Sequence, residues 1–309
     1  MVVIDRLRGY RMSLLGRRWL GRGLAIVGFS LLAKALLDHG IQGAGGGGGI
    51  DAIAYWTAAG NVRDGLPLYS IPEGSFAAYA YPPPLAQALV PLSFLPMPIF
   101  VWLWRAIELV SLRVAVGSWT LSGIALLVLP PVIAEVDAGN VHLIMAAACA
   151  LAMRGVALPV APATLLKFAS VPLAPLGWRF DRRGLLIGIG ATAIVVGASA
   201  LIARGAWTDY VRFLGTTGFP RGWYNLAENV PLPLRLLFAA SVGLAATRWI
   251  RLAPIAVLFA YPVVWFHALS TLVALVAPVR PSGARERHSA RQPAAENAAL
   301  ASATTGSQP

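Results

Sequence analysis

The chain has 309 residues, 57% of them hydrophobic and 12% charged, with a mean hydropathy of +0.68. That balance lies outside the range of water-soluble globular domains and excludes the pair of soluble domains that the length alone would allow. A net charge of +12, from 25 Lys and Arg against 13 Asp and Glu, would suit nucleic acid if the basic residues shared one soluble face. They sit instead in short clusters between apolar runs, where positive charge sets membrane orientation, so no nucleic-acid partner is expected.

In chain order, residues 1–22 carry Arg6, Arg8, Arg11, Arg17, Arg18 and Arg22 ahead of an apolar run. This reads as a basic cytoplasmic N-terminus before an uncleaved first helix, rather than as a signal peptide, because many spans follow. A membrane helix needs about 20 predominantly apolar residues. Runs of that character occur at 23–40, 82–96, 98–117, 119–134, 139–153, 156–177, 184–203, 231–247, 252–266 and 267–279, the last two alternatively being one helix broken near Pro262. The expectation is an all-α polytopic bundle of about ten membrane helices over 23–280, followed by a polar, disordered tail over 281–309.

With the N-terminus inside, Arg179, Arg182 and Arg183, then Arg248 and Arg251, then Arg280 onward also fall inside. The segments 41–81 and 204–230 and the turn Trp265–His267 then face outward. That count places the acidic turn with Glu135 and Asp137 inside, unless a re-entrant segment moves it out. The glycine-rich stretch 43–49 reads as a flexible link. Beyond it, 51–62 reads as an amphipathic helix on the membrane surface, with Tyr55 and Trp56 suited to the interface. The single cysteine, Cys149, lies in an apolar run and forms no intrachain disulfide.

No phosphate-cradling glycine loop, His-Glu-x-x-His or paired-cysteine site is present, and the carboxylates are scattered, so no metal cluster is expected. A single divalent ion between a donor phosphate and Asp51 stays open. The segment from Asp51 to Pro96 is the informative one: a carboxylate before an interfacial helix, a Gly-Leu-Pro-Leu-Tyr turn, and Tyr81-Pro82-Pro83 opening a helix. This order resembles the membrane-embedded GT-C glycosyltransferases, in particular glycosyltransferase family 87, which uses polyprenyl-phosphate-mannose donors. Gly139-Asn140-Val141-His142, Lys167 inside a later apolar run, and Tyr261-Pro262-Val263-Val264-Trp265-Phe266-His267 extend the resemblance over roughly residues 45–270. Relative to that family the chain is shortened at its C-terminus.

The resemblance implies a GT-C-like fold in the plasma (inner) membrane and transfer of a hexose, mannose by family, on the outer face. The donor is a polyprenyl-phosphate sugar and the acceptor a lipid-linked or envelope glycan. A single displacement needs one base, and no general acid, because phosphate leaves as an anion. Asp51 matches the family's first-loop aspartate; its other reading is a helix cap. His267 is a phosphate contact or a helix-packing hydrogen bonder. Lys167 is a phosphate contact, or it snorkels or pairs with a carboxylate, since a bare charge at that depth costs about 2.5 to 3.5 kcal/mol. Asn140 is a substrate contact or a cap, and Tyr81 a substrate contact. Arg221, Glu228 and Asn229 are ligand candidates in the second outer loop, whose Trp207, Tyr210, Trp223 and Tyr224 read as an aromatic belt. Arg105 and Glu108, three apart, are expected to pair. A transporter or flippase, or a scaffold without activity, is the alternative class.

Overall fold

The computed structural model describes residues 14–40, 48–69, 78–216 and 225–279, and among them every regular element is helical. The α-helices are α1 (Leu14–His39), α2 (Ile50–Arg63), α3 (Pro83–Leu89), α4 (Met97–Val116), α5 (Trp119–Val128), α6 (Pro130–Ala138), α7 (His142–Met153), α8 (Ala174–Phe180), α9 (Arg182–Ile202), α10 (Arg204–Thr216), α11 (Leu232–Ala246) and α12 (Ala253–Phe259). Shorter 3-10 turns cover Val90–Phe94, Pro162–Leu165, Phe168–Leu173, Ile250–Leu252 and Phe266–Val276. Most of the glycine-rich link, the N-terminal arginines through Arg11 and the tail from 280 on lie outside the described residues.

Two stretches are long and apolar enough to cross a membrane, Gly16–His39 in α1 and Arg182–Ile202 in α9. A third candidate is α5 with α6, one apolar run bent by 101°. The bend sits where Pro130 and Pro131, which offer no N–H to the preceding turn, interrupt the run after Leu129. Ser118 starts α5 by accepting from the Leu121 amide at 3.1 Å, and Asp181 starts α9 by accepting from the Gly184 amide at 3.0 Å. Outward-facing side chains such as Ile26, Ile194, Leu201 and Leu237 are left bare, which suits contact with lipid rather than water.

The α1–α5 crossing is close because two glycines face each other: a Cβ on Gly28 would overlap the Gly123 carbonyl. Gly28→Leu is therefore expected to push the helices apart and destabilise the bundle by at least about 1–3 kcal/mol. Thermal unfolding in detergent checks this; an unchanged midpoint would contradict the crossing.

Contacts between distant segments define two ends of the bundle. At one, His39 and Gly40 of the α1 terminus meet Asp137, and Gly49 donates to the Asp137 carbonyl at 2.6 Å. At the other, arginines satisfy helix-terminal carbonyls: Arg154 donates to Val114 at 2.6 Å, Ala115 at 3.0 Å and Pro278 at 3.2 Å, and Arg251 to Leu275 and Ala277. Two segments leave this second end and come back to it. The Ala157 amide donates to Asp181 at 2.8 Å, closing a hairpin that carries Lys167 at its middle. The Arg251 contacts close another, whose tip is Tyr261–His267.

Several expected spans take other forms. The run 82–96, punctuated by five prolines, is α3 and a 3-10 turn laid against α2, with Trp56 donating to the Leu95 carbonyl at 2.9 Å and Arg63 to the Ser93 carbonyl at 2.9 Å. The run 156–177 is a chain of turns around Pro159, Pro162 and Pro172 that becomes helical only where α8 begins at Ala174. Runs 252–266 and 267–279 are the two arms of one hairpin. The acidic turn, counted inside, lies at the same end as Asp51. Its displacement follows from the α5–α6 bend and from the run 82–96 staying beside α2, which together change the alternation.

Candidate active site

At the first end, five of the residues singled out in the sequence meet in one hydrogen-bond network, joined by Glu135 and His142. Gly139 allows the approach. It ends α6 at φ 73°, where side chains are strained, and a Cβ there would lie 2.8 Å from that of Ala52. Asn140 follows directly, beside the first turn of α2.

Asn140 is the hub. Its Oδ1 accepts from Tyr81 Oη at 3.1 Å, Lys167 Nζ at 3.1 Å and the Val141 amide at 2.8 Å. With the oxygen so engaged, Nδ2 points the other way, donating to Asp51 Oδ2 at 2.8 Å and lying 3.4 Å from His267 Nε2. Tyr81 is oriented by Tyr55, whose hydroxyl donates to it at 2.7 Å with the rings edge to face. Trp104 Nε1 donates to the Asn140 carbonyl at 3.1 Å.

A second line runs from Lys167 to Glu135. Lys167 Nζ lies 2.8 Å from His142 Nε2, and His142 Nδ1 lies 2.8 Å from Glu135 Oε2. The donors can be assigned: Glu135 accepts from Nδ1–H, which leaves the Nε2 lone pair for Lys167. Glu135 Oε1 also accepts the His142 amide at 2.5 Å, so this carboxylate, seven residues upstream, satisfies the start of α7. Lys167 sits over the faces of Tyr81 and Tyr261, at 5.8 and 5.3 Å from the ring centroids. Glu135, Asn140 and His142 are buried, whereas Asp51, Lys167 and His267 are partly exposed, so the network is reached from the side on which these three lie.

Asp51 is not a cap. Gly49 holds the N-cap position of α2, and Asp51 is the second residue of the helix with its carboxylate turned to Asn140. Burial pushes its carboxyl up to about 6, against the opposing pull of Lys167 and the Asn140 hydrogen bond. Asn140 does not cap α7 either: Val141 is at the N-cap without a side-chain bond, and Glu135 does that work. Lys167 bonds to Asn140 and His142, and among the described residues no carboxylate lies within ion-pair distance of it.

The tip of the second hairpin brings His267 in. Arg235 holds the tip, donating to the carbonyls of Tyr261 at 2.7 Å and Pro262 at 2.6 Å, with a further bond to Val230 at 3.2 Å. Tyr261 Oη meets Thr271 Oγ1 at 2.9 Å, and Trp265 stacks on His267 at 6.1 Å. Arg235→Ala is expected to strand these buried carbonyls and cost about 1.5–3 kcal/mol. A fall in the thermal midpoint in detergent checks it.

The remaining expectations fare differently. Arg221, with Trp223 and Tyr224, lies outside the described residues. Glu228 and Asn229 lie on an exposed turn, 225–230, tied by the Leu226 amide to the Val264 carbonyl at 2.9 Å, and no hydrogen bond joins them to Asp51, Asn140 or Lys167 among the described residues. Tyr210 is buried against Tyr69, at 5.6 Å between centroids, docking α10 on the segment before Tyr81. Arg105 does not pair with Glu108. Its Nη2 reaches Asp137 Oδ1 at 3.3 Å, while both Glu108 carboxylate oxygens are buried without a hydrogen-bond partner.

Glu135 and His142 were missed as site residues: Glu135 was read as one acid of an acidic turn, and His142 as the last residue of the Gly139–His142 segment. No family model matches the chain, and neither the curated proteins nor the solved structures compared with it give a match.

Proposed function

We propose that the chain is a membrane glycosyltransferase of GT-C type that moves a hexose from a polyprenyl-phosphate donor to a lipid-linked or envelope glycan. The observation that carries this reading is the meeting of Asp51, partly exposed on a helix outside the candidate spans, with Lys167 and His267 through one asparagine. That set offers a base and a group of nitrogen donors side by side. In the reaction, Asp51 takes the proton of the acceptor hydroxyl as its oxygen bonds to the anomeric carbon. The bond from that carbon to the phosphate oxygen breaks with inversion, and polyprenyl phosphate leaves as an anion stabilised by Lys167 and His267.

The membrane arrangement is part of the same proposal. With the basic N-terminus inside, α1 crosses outward, α2 and α10 lie at the outer interface, and both hairpins enter from the inner side. The active site then faces outward in the plasma (inner) membrane. Mannose as the sugar rests on the resemblance of the Asp51–Pro96, Gly139–His142 and Tyr261–His267 segments to glycosyltransferase family 87.

The test is incorporation of labelled sugar from polyprenyl-phosphate donors into glycolipid by the purified chain in lipid. Label in the acceptor fraction is the expected result; none from any such donor, with the protein folded, sinks the reading. One observation favours a second reading. Two broken hairpins meeting tip to tip around Glu135, His142 and Lys167 also suit an ion-coupled transporter. Uptake by proteoliposomes, unaffected by Asp51→Asn, would support that class instead.

A further inference from the structure

Glu135, His142 and His267 come from three different segments, the bent α6, the start of α7 and the tip of the last hairpin, and each presents one ligand atom within 4.8 Å of the others. We propose that these three residues form a binding site for a single divalent first-row transition metal ion. The proposal does not depend on the sugar-transfer reading.

Three observations carry it. The first is the donor set: two imidazoles and a carboxylate are the mixed nitrogen and oxygen ligands that zinc, manganese, iron and cobalt take, with open positions left for water or substrate. The second is the state of His267. Asn140 Nδ2, already donating to Asp51, is turned toward His267 Nε2, so that nitrogen presents a lone pair. It lies 4.0 Å from Glu135 Oε2, with only 18% of the His267 side chain exposed. A neutral imidazole nitrogen at that distance from a buried carboxylate is spaced for one ion that both could hold.

The third is the charge around the cluster. Glu135 and Glu108 are both 0% exposed, Asp51 is beside them, and Glu108 lies within electrostatic reach of both. Against these three carboxylates stand Lys167 and, for Glu108, the Arg105 guanidinium, which a fourth carboxylate, Asp137, shares. Neither Glu108 oxygen has a hydrogen-bond partner. A divalent ion between Glu135 and the histidines would supply the missing positive charge.

The geometry asks for two changes, at His267 and at Lys167. Two ligands on one metal, each on an arm of about 2.1 Å, stand about 3 Å apart at right angles. The Glu135–His142 separation is already 2.8 Å, and the Glu135–His267 separation must close from 4.0 Å. The ion would replace the hydrogen bond between Glu135 and His142 and leave Glu135 Oε1 on the His142 amide; the ring then carries its proton on Nε2, so Lys167 gives up His142 and keeps Asn140.

The experiment is metal analysis of the whole chain, purified in detergent through a tag that binds no metal, stripped with chelator and reloaded with Co²⁺. One equivalent of cobalt with visible d–d absorption is expected for wild type. His267→Ala and Glu135→Gln should lower cobalt affinity by at least 10-fold, and Asp51→Asn should retain it. Because Asp51→Asn removes transfer without touching the ligands, failure of the metal site and failure of the transferase reading separate. His267→Ala changes a partly exposed side chain, so its thermal midpoint shows whether loss of cobalt is loss of fold. No stoichiometric cobalt in folded wild type, or cobalt held equally well by both ligand variants, overturns the proposal.

Discussion

Asp51→Asn is expected to lower turnover about 10²–10⁴-fold, the usual worth of a positioned general base, while donor binding and the thermal midpoint stay near wild type. The amide fills the same space and its oxygen still accepts from Asn140 Nδ2, so the local hydrogen bond survives. What is lost is the capacity to take a proton. The same carboxyl sets the pH dependence. Burial raises it to about 6, and a base works only when ionised, so transfer should rise with pH through about 6 and level off above it. An acidic limb near 4 would mean that Asp51 is solvated during turnover. Turnover of folded Asp51→Asn at wild-type rate would remove Asp51 from the mechanism.

The sequence made the chemistry more legible than the crossings. Lys167 and His267 stood out as polar residues in apolar runs, Asp51, Tyr81 and Asn140 through the segments that carry the family resemblance, and the structure brings these five together. Hydropathy says where apolar residues are, and it cannot say whether a run crosses, bends or turns back. The run 156–177 is apolar because one side of it packs on the bundle through Val160, Ala169 and Leu173 while Leu158, Phe168 and Val171 stay exposed, and its prolines break it into turns. The bend after Leu129 was invisible for the same reason, and with it went the side of Glu135. His142 and Glu135 are seven residues apart, beyond the reach of helical spacing arguments, and only the glycine-ended turn at Gly139 folds them onto each other. The pairing of Arg105 with Glu108 failed because Asp137, distant in sequence, competes for the guanidinium.

Glu135 is where structure and chemistry depend on the same atoms, and its replacement should have the largest effect on stability. In Glu135→Ala the start of α7 loses the acceptor for the His142 amide, and the buried imidazole loses its Nδ1 partner. Leaving such buried groups unpaired costs about 3–5 kcal/mol, which should appear as a large drop in the thermal midpoint in detergent. Glu135→Gln separates the two roles. Its oxygen can keep the amide bond, but its NH₂ faces Nδ1, and the ring must then carry its proton on Nε2, toward Lys167. A lysine ammonium cannot accept that proton, so Lys167 is displaced from His142, which disturbs its bond to the oxygen of Asn140, the residue whose Nδ2 holds Asp51. The expected result is a milder loss of stability, about 1–3 kcal/mol, with a loss of turnover out of proportion to it. If Glu135→Gln keeps full turnover, the line from Glu135 through His142 to Lys167 is packing alone, and the lysine is held by Asn140 and the two tyrosine faces.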